Sequence, residues 1–174
     1  MSLRPIIIAP DPRLKVISAP VEEVTDETRA LMDDMLETMY AAPGIGLAAV
    51  QIGVPLRIIV MDLAREEDGE EPTPLYLVNP KIIESSGDPV PYNEGCLSLP
   101  DFYETVERPG HVVVKYQDYD GKQCQIDCDE MLATCIQHEM DHLEGILFVD
   151  HLTKLKRSMI LRRLTKLKRL DETA

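Results

Sequence analysis

The chain has 174 residues, 44% of them apolar and 28% charged, with 18 Lys and Arg against 31 Asp and Glu. That is enough for a single catalytic-sized domain, residues 1–174, with its own core, and it excludes a disordered chain. No apolar run is long enough to suggest a membrane span.

The short apolar run after Met1 is broken by Pro10 and Pro12, and no small-residue cleavage site follows, unlike a signal peptide. Four cysteines without a secretory signal suit a reducing compartment, the cytoplasm, where thiols act as ligands or core residues. Two Phe and no Trp leave Leu, Ile, Val and Met to fill the core. Charge is unevenly placed. Residues 1–151 hold 10 Lys and Arg against 29 Asp and Glu, a net of −19, whereas residues 152–170 hold eight basic residues and no acid. The body should repel DNA and other nucleic acid, and the tail could attract it.

In chain order, Leu31, Met32, Met35, Leu36 and Met39 recur at helical spacing and predict a helix from about Asp26 to Tyr40. Thr25 is its N-cap, and Pro43-Gly44 ends it. Strands are predicted at 57–63, 75–83, 112–119 and 122–128, the last two joined by the hairpin signal Asp120-Gly121. The segment GEEPT after residue 68 reads as an exposed turn. A second helix should run from about Asp129 to His142 and a third from about Leu152 to Leu170. Strands precede the last two helices instead of alternating with them, so the fold class is α+β.

The second helix carries QHEMDHLEG, which contains HExxH. His138 and His142 stand four residues apart, about 40° round the helix from one another, so both rings can reach one ion. Glu139 lies about 100° from His138, beside such an ion without having to bind it. That suits a carboxylate that accepts a proton from water and hands it on. The simpler reading, a polar helix face that matches the pattern by chance, competes with it.

The third ligand would decide the class. Residues 152–170 contain no Asp or Glu to act as a thermolysin-type ligand, and Phe148 stands where a metzincin has its third His. His151 falls where the chain leaves for the tail. Cys124 and Cys128 share a strand face with Ile126 and read as small buried hydrophobes, and Cys135 falls on the buried face of its helix. Cys96 lies in a compact turn between Gly95 and Pro100, where a thiolate could face the helix. Two imidazoles and one thiolate leave a fourth tetrahedral position open, the mark of a catalytic site.

Residues 43–55, PGIGLAAVQIGVP, match a dinucleotide fingerprint at Gly44, Gly46 and Ala49. The expected context is reversed, with a helix before and a strand after, so that reading is rejected. A backbone that substrate approaches closely fits better, with Gln51 as a neutral donor to a carbonyl oxygen that gains charge.

Three motifs now stand in order: GIGLAAVQ (44–51), EGCLSLP (94–100) and QHEMDH (137–142). Together they resemble the peptide deformylase family of the bacterial type, over nearly the whole chain. The resemblance implies removal of the formyl group from the N-terminal formylmethionine of nascent polypeptides. It implies Cys96, His138 and His142 as metal ligands, Glu139 as general acid and base, and Gln51 with the Leu97 N–H as holders of the oxyanion. It implies antiparallel β-sheets packed around a central HExxH helix, with a C-terminal helix. The expected ion is Fe²⁺, with Zn²⁺, Ni²⁺ or Co²⁺ also able to occupy the site; the ligand types alone point to zinc. The methionine side chain would enter an apolar pocket lined by Ile45, Leu97, Cys135 and His138, while a narrow site at Gly46 admits only the formyl carbon. Tyr103, where many relatives carry Arg, and Thr134, where an aliphatic residue is common, depart from the family pattern.

An HExxH endopeptidase and a metal-binding module without activity are the rivals. The first lacks its usual third ligand, and the second has no need of Glu139 and Gln51. For the tail, Leu152, Leu155, Met159, Ile160, Leu164, Leu167 and Leu170 form an apolar stripe on a basic helix. The simplest reading docks that helix on the acidic body. Membrane binding is disfavoured beside it, and the resemblance adds docking on the ribosome near the exit tunnel.

Overall fold

The computed structural model describes residues 1–64 and 66–174. Its sheet contains β1 (Gly46–Ala48), β2 (Ile58–Met61), β3 (Leu75–Cys96), β4 (Leu99–Gln117) and β5 (Gln123–Asp129). The strands lie in sequence order, and every neighbouring pair is antiparallel. The helices are α1 (Asp26–Ala41), α2 (Glu130–Leu143) and α3 (Lys154–Thr173). Among the described residues no helix is long and apolar enough to cross a membrane. The α+β class with a C-terminal helix is as expected.

Each helix begins and packs for local reasons. Thr25 and Thr28 cap α1 reciprocally, each side chain bonding the other's backbone N–H. Met32, Met35 and Met39 then turn one stripe of α1 onto Leu47, Ile58, Val60 and Val78. Ile59 and Met61, the alternate residues of β2, face the opposite way and meet Ala133, Ile136 and Leu143 of α2. All four β2 residues are therefore buried, as a strand covered on both faces must be. Each such side chain contributes roughly 1.5–3 kcal/mol on burial. A third cluster, with Ile7, Leu14, Leu99, Phe148, Ile160 and Leu164, ties the N-terminal segment to the base of α3.

The strands differ from expectation in two ways. β1 carries only three residues and no alternation, so the pattern hid it. β3 runs well past residue 83 and β4 begins well before residue 112, because residues 84–96 pair with residues 99–113 as one long hairpin. Residues 84–91 of that hairpin are exposed on both faces, so no alternation of buried apolar residues marks them. Bulges punctuate the pairing, one beside Gly87, whose φ of 80° favours glycine. At the hairpin tip Cys96 pairs with Leu99, which leaves Leu97-Ser98 as a two-residue turn. The expected turn at Asp120-Gly121 forms with Gly121 at φ 83°, and the GEEPT segment is exposed.

The stripe expected on the last helix is split. Ile160 and Leu164 are buried, whereas Leu155, Met159, Leu167 and Leu170 are exposed. Seven positions from 152 to 170 sweep a wider arc than one docking face can cover, at about 100° per residue. Cys124 also departs from the buried-hydrophobe reading. It is half-buried beside the Asp118 carboxylate, and only Cys128 is fully buried.

Candidate metal centre and active-site cleft

α2 runs under the tip of the β3–β4 hairpin. Its core side, Ala133, Ile136 and Leu143, packs on the sheet, and the neighbouring stripe with His138, Glu139 and His142 faces the hairpin tip. The thiol of Cys96 and one ring nitrogen from each histidine lie within 4.8 Å of one another. Cys96 Sγ stands 3.4 Å from His142 Nε2, and the two rings meet edge to face at 5.1 Å. The alternative ligands fall elsewhere. His151 bonds Asp141, Cys124 and Cys128 lie on β5, and Cys135 contacts the Ile45 carbonyl.

The arrangement fits a divalent ion. One soft anionic and two imidazole donors converge, and two of the three residues are buried. His138 is oriented for it from behind. Its Nδ1 bonds Glu94 Oε1 at 2.8 Å, which turns Nε2 towards the thiol. Glu94 in turn accepts from Arg108 Nε and Nη2 at 2.7 and 2.9 Å, and Arg108 Nη1 reaches Asp141 at 2.8 Å. His151 Nε2 closes the chain on the same Asp141 oxygen, at 2.8 Å. Burial opposes the charge on Glu94, but His138 and Arg108 outweigh it and hold the carboxyl below its ordinary value.

Glu139 is almost wholly buried, and its Oε2 has no partner among the described residues. Burial, against the pull of His138, pushes its carboxyl up to about 7. Oε1 lies 4.0 Å from His138 Nε2, beside the three donors but outside that set. Gly46 explains how it fits. A Cβ on Gly46 would stand 2.5 Å from Glu139 Oε1, so the carboxylate itself occupies the space that glycine leaves. The close approach expected of substrate at this glycine is made by Glu139 first.

Gln51 sits at the end of a short 3-10 turn after β1, and its Oε1 accepts the Ala48 N–H at 2.9 Å. That bond fixes the amide so that Nε2 points at Ser98 Oγ, 3.0 Å away, and at Cys96 Sγ, 3.6 Å away. Gln51, Cys96, Leu97, His138 and Glu139 all line one cleft of about 580 Å³, with Gly44, Ile45, Gly46 and Tyr103. A smaller cavity of about 110 Å³ adjoins it, lined by Ile45, Tyr92, Met131, Thr134, Cys135 and His138. Each residue expected to act in catalysis or to bind substrate thus lines one of these two spaces, whereas the ligand candidate His142 lines neither and is fully buried. Leu97 lies in the cleft rather than the smaller cavity, and its side chain covers Gly44. The Tyr103 ring lies across Gly95, where a Cβ would come within 2.5 Å of it.

Sequence reasoning missed Glu94, Arg108, Asp141 and Ser98. Glu94 stands two residues before Cys96 and was quoted only as part of a motif. Its bond to His138 spans 44 positions, and nothing local signals it.

A helix presenting two histidines and a carboxylate to a hairpin cysteine, at the floor of a cleft, defines a metal-dependent hydrolase. The particular family follows from comparison. The profile of polypeptide deformylase matches residues 3–158. The peptide deformylase of Phenylobacterium zucineum is 60% identical over 166 residues, 95% of this chain and 97% of that one. That of Hyphomonas neptunium is also 60% identical, over 97% of this chain and 95% of its own. The crystal structure of peptide deformylase from Ehrlichia chaffeensis in complex with actinonin matches with a TM-score of 0.92 at 44% identity, covering 97% and 99% of the two chains. This chain belongs to the polypeptide deformylase family and is a metal-dependent enzyme that removes formyl groups from peptide N-termini.

Proposed function

We propose that residues 1–174 act as one catalytic domain on the formylmethionine of nascent polypeptides, with Cys96, His138 and His142 holding a divalent ion. The observation that carries this reading is the convergence of those three donors beside Glu139 and Gln51 in one cleft. Fe²⁺ is the native ion in this reading, and Zn²⁺, Ni²⁺ or Co²⁺ would fit the same donors. Bound there, the ion supplies Lewis acidity, which lowers the pKa of a water towards about 7 and polarises a carbonyl.

The remaining chemistry falls to the chain. Glu139 takes a proton from the attacking water and returns it to the amine nitrogen as the C–N bond breaks, releasing formate. Its burial favours the neutral carboxyl, so the proton can be both accepted and given up near neutrality. Gln51 Nε2 and the Leu97 N–H donate to the formyl oxygen as it gains charge. Gln51 is already aimed by its bond to Ala48, so little reorganisation is needed. The methionine side chain enters the cavity of Ile45, Cys135 and His138, with Thr134 and Met131 at its wall.

α3 exposes most of its eight basic residues, with Leu155 and Met159 beside them, on a body of opposite charge. Docking of this face on ribosomal RNA near the exit tunnel, in the cytoplasm, would bring the site to its substrate. DNA and membranes are not partners in this reading.

The test is formate release from formyl-Met-Ala-Ser by protein loaded anaerobically with Fe²⁺, beside the acetylated peptide. Formyl turnover with poor acetyl turnover is expected, because an extra methyl must fit where Gly46, Glu139 and Gln51 crowd the carbonyl carbon. Cleavage of internal bonds in unblocked peptides would support the endopeptidase instead.

A further inference from the structure

The cleft does not end at the hairpin tip. Ile6, Pro100 and Asp101 line it, and the same three residues line a second groove of about 510 Å³. That groove runs between the N-terminal segment and the C-terminal half of α3, with Ile8, Ile52 and Leu167 among its walls and Leu164 at its base. Leu167 is half exposed there, and Ile6, Ile8 and Ile52 are partly buried, so apolar surface stands open to a ligand. Its rim carries Lys168 and Arg13 beside Asp11 and Asp171, so the two signs offset and net charge does not select the occupant.

We propose that this groove is an extended subsite that binds apolar side chains of the formylated peptide several residues after the methionine. The proposal rests on the deformylase reading of the cleft. Its occupant follows from continuity. Once the formyl group lies at Cys96 and Glu139, the rest of the peptide must leave the cleft, and Ile6, Pro100 and Asp101 border both spaces. An extended peptide advances about 3.3–3.6 Å per residue, so a nonapeptide about 30 Å long outreaches a cleft of about 580 Å³. In this reading Leu167 of α3 meets the substrate over the buried Leu164, and the outer face of the helix serves any partner.

The test compares three peptides on the Fe²⁺-loaded full chain: formyl-Met-Ala-Ser, a nonapeptide extending it with Leu at positions six to eight, and the same nonapeptide with Ser there. The Leu peptide should exceed the Ser peptide in kcat/KM by about tenfold, the scale of one well-buried apolar side chain. Leu167→Glu and, separately, Ile8→Asn should erase that advantage. Turnover of the tripeptide by each variant reports that the fold and centre are intact. Equal kcat/KM for the Leu and Ser peptides, or an advantage that survives both substitutions, would overturn the groove while the deformylase reading stands. No formate from the tripeptide with the unaltered chain would overturn both.

Discussion

Gly46→Ala is the sharpest probe of the centre, because it alters no polar group. The new Cβ would lie 2.5 Å from Glu139 Oε1 and 2.9 Å from both Cδ and Cγ. Ordinary contacts lie at about 3.5–4.0 Å, so the carboxylate must retreat by about 1 Å. β1 is held to β2 by its ladder and is buried at all three residues, so the side chain yields before the strand does. A displacement of that size at a reacting group costs about 10²-fold. Overpacking of about 1–3 kcal/mol should lower Tm by about 2–12 °C for a chain of this length. The metal should stay, because no ligand moves. Metal stoichiometry, Tm and kcat on formyl-Met-Ala-Ser should be measured together, in the native and the Glu139→Ala backgrounds. Glu139→Ala alone should keep its metal and lose about 10²–10⁴-fold in kcat. On that background the added methyl meets no carboxylate, so neither kcat nor Tm should fall further. A native kcat in Gly46→Ala, or an equal loss in both backgrounds, would refute the reasoning.

Cys96→Ser should lose metal and activity together, since a neutral hydroxyl replaces a soft anion, while Cys124→Ser and Cys128→Ser keep a full equivalent by elemental analysis. Asp150 anchors the start of α3. Burial opposes its charge, but Lys15, the Leu147 N–H and Arg157 hold its carboxyl below the ordinary 3.8. Because its folded value is depressed, its contribution is complete above about pH 4 and is lost as pH falls through the lower folded value. Asp150→Asn should therefore destabilise the chain at pH 7 and flatten the acid limb of its urea stability curve; parallel limbs would contradict that. Truncation after His151 should abolish cosedimentation with ribosomes, and binding by the full chain should weaken steeply with salt, as counterion release requires. Salt-insensitive binding, or none lost on truncation, would remove the ribosomal role of α3.

Local sequence was enough for much of this protein. The four-residue spacing of His138 and His142 places two imidazoles on one stripe of any α-helix, whatever surrounds it. The i, i+3, i+7 pattern of Met32, Met35 and Met39, with Thr25 before it and Pro43 after, defines α1 because caps and periodicity are properties of neighbouring residues. Cys96 at a turn was legible for the same reason. Contacts between distant segments were not. Which oxygen orients His138 depends on a hairpin that carries Glu94 over α2, 44 positions away. The length of that hairpin was hidden because residues 84–91 bury nothing, and pairing without burial leaves no apolar signature. Gly46 looked like an opening for substrate, and only the approach of α2 showed that Glu139 fills it. The division of α3 into a docked face at Ile160 and Leu164 and an exposed one was likewise decided by the body it packs on. Residue types and short spacings determine what chemistry is available, because they act through bonds and adjacent turns. Packing decides which groups meet, because burial and approach are set by surfaces that the chain brings together only when folded.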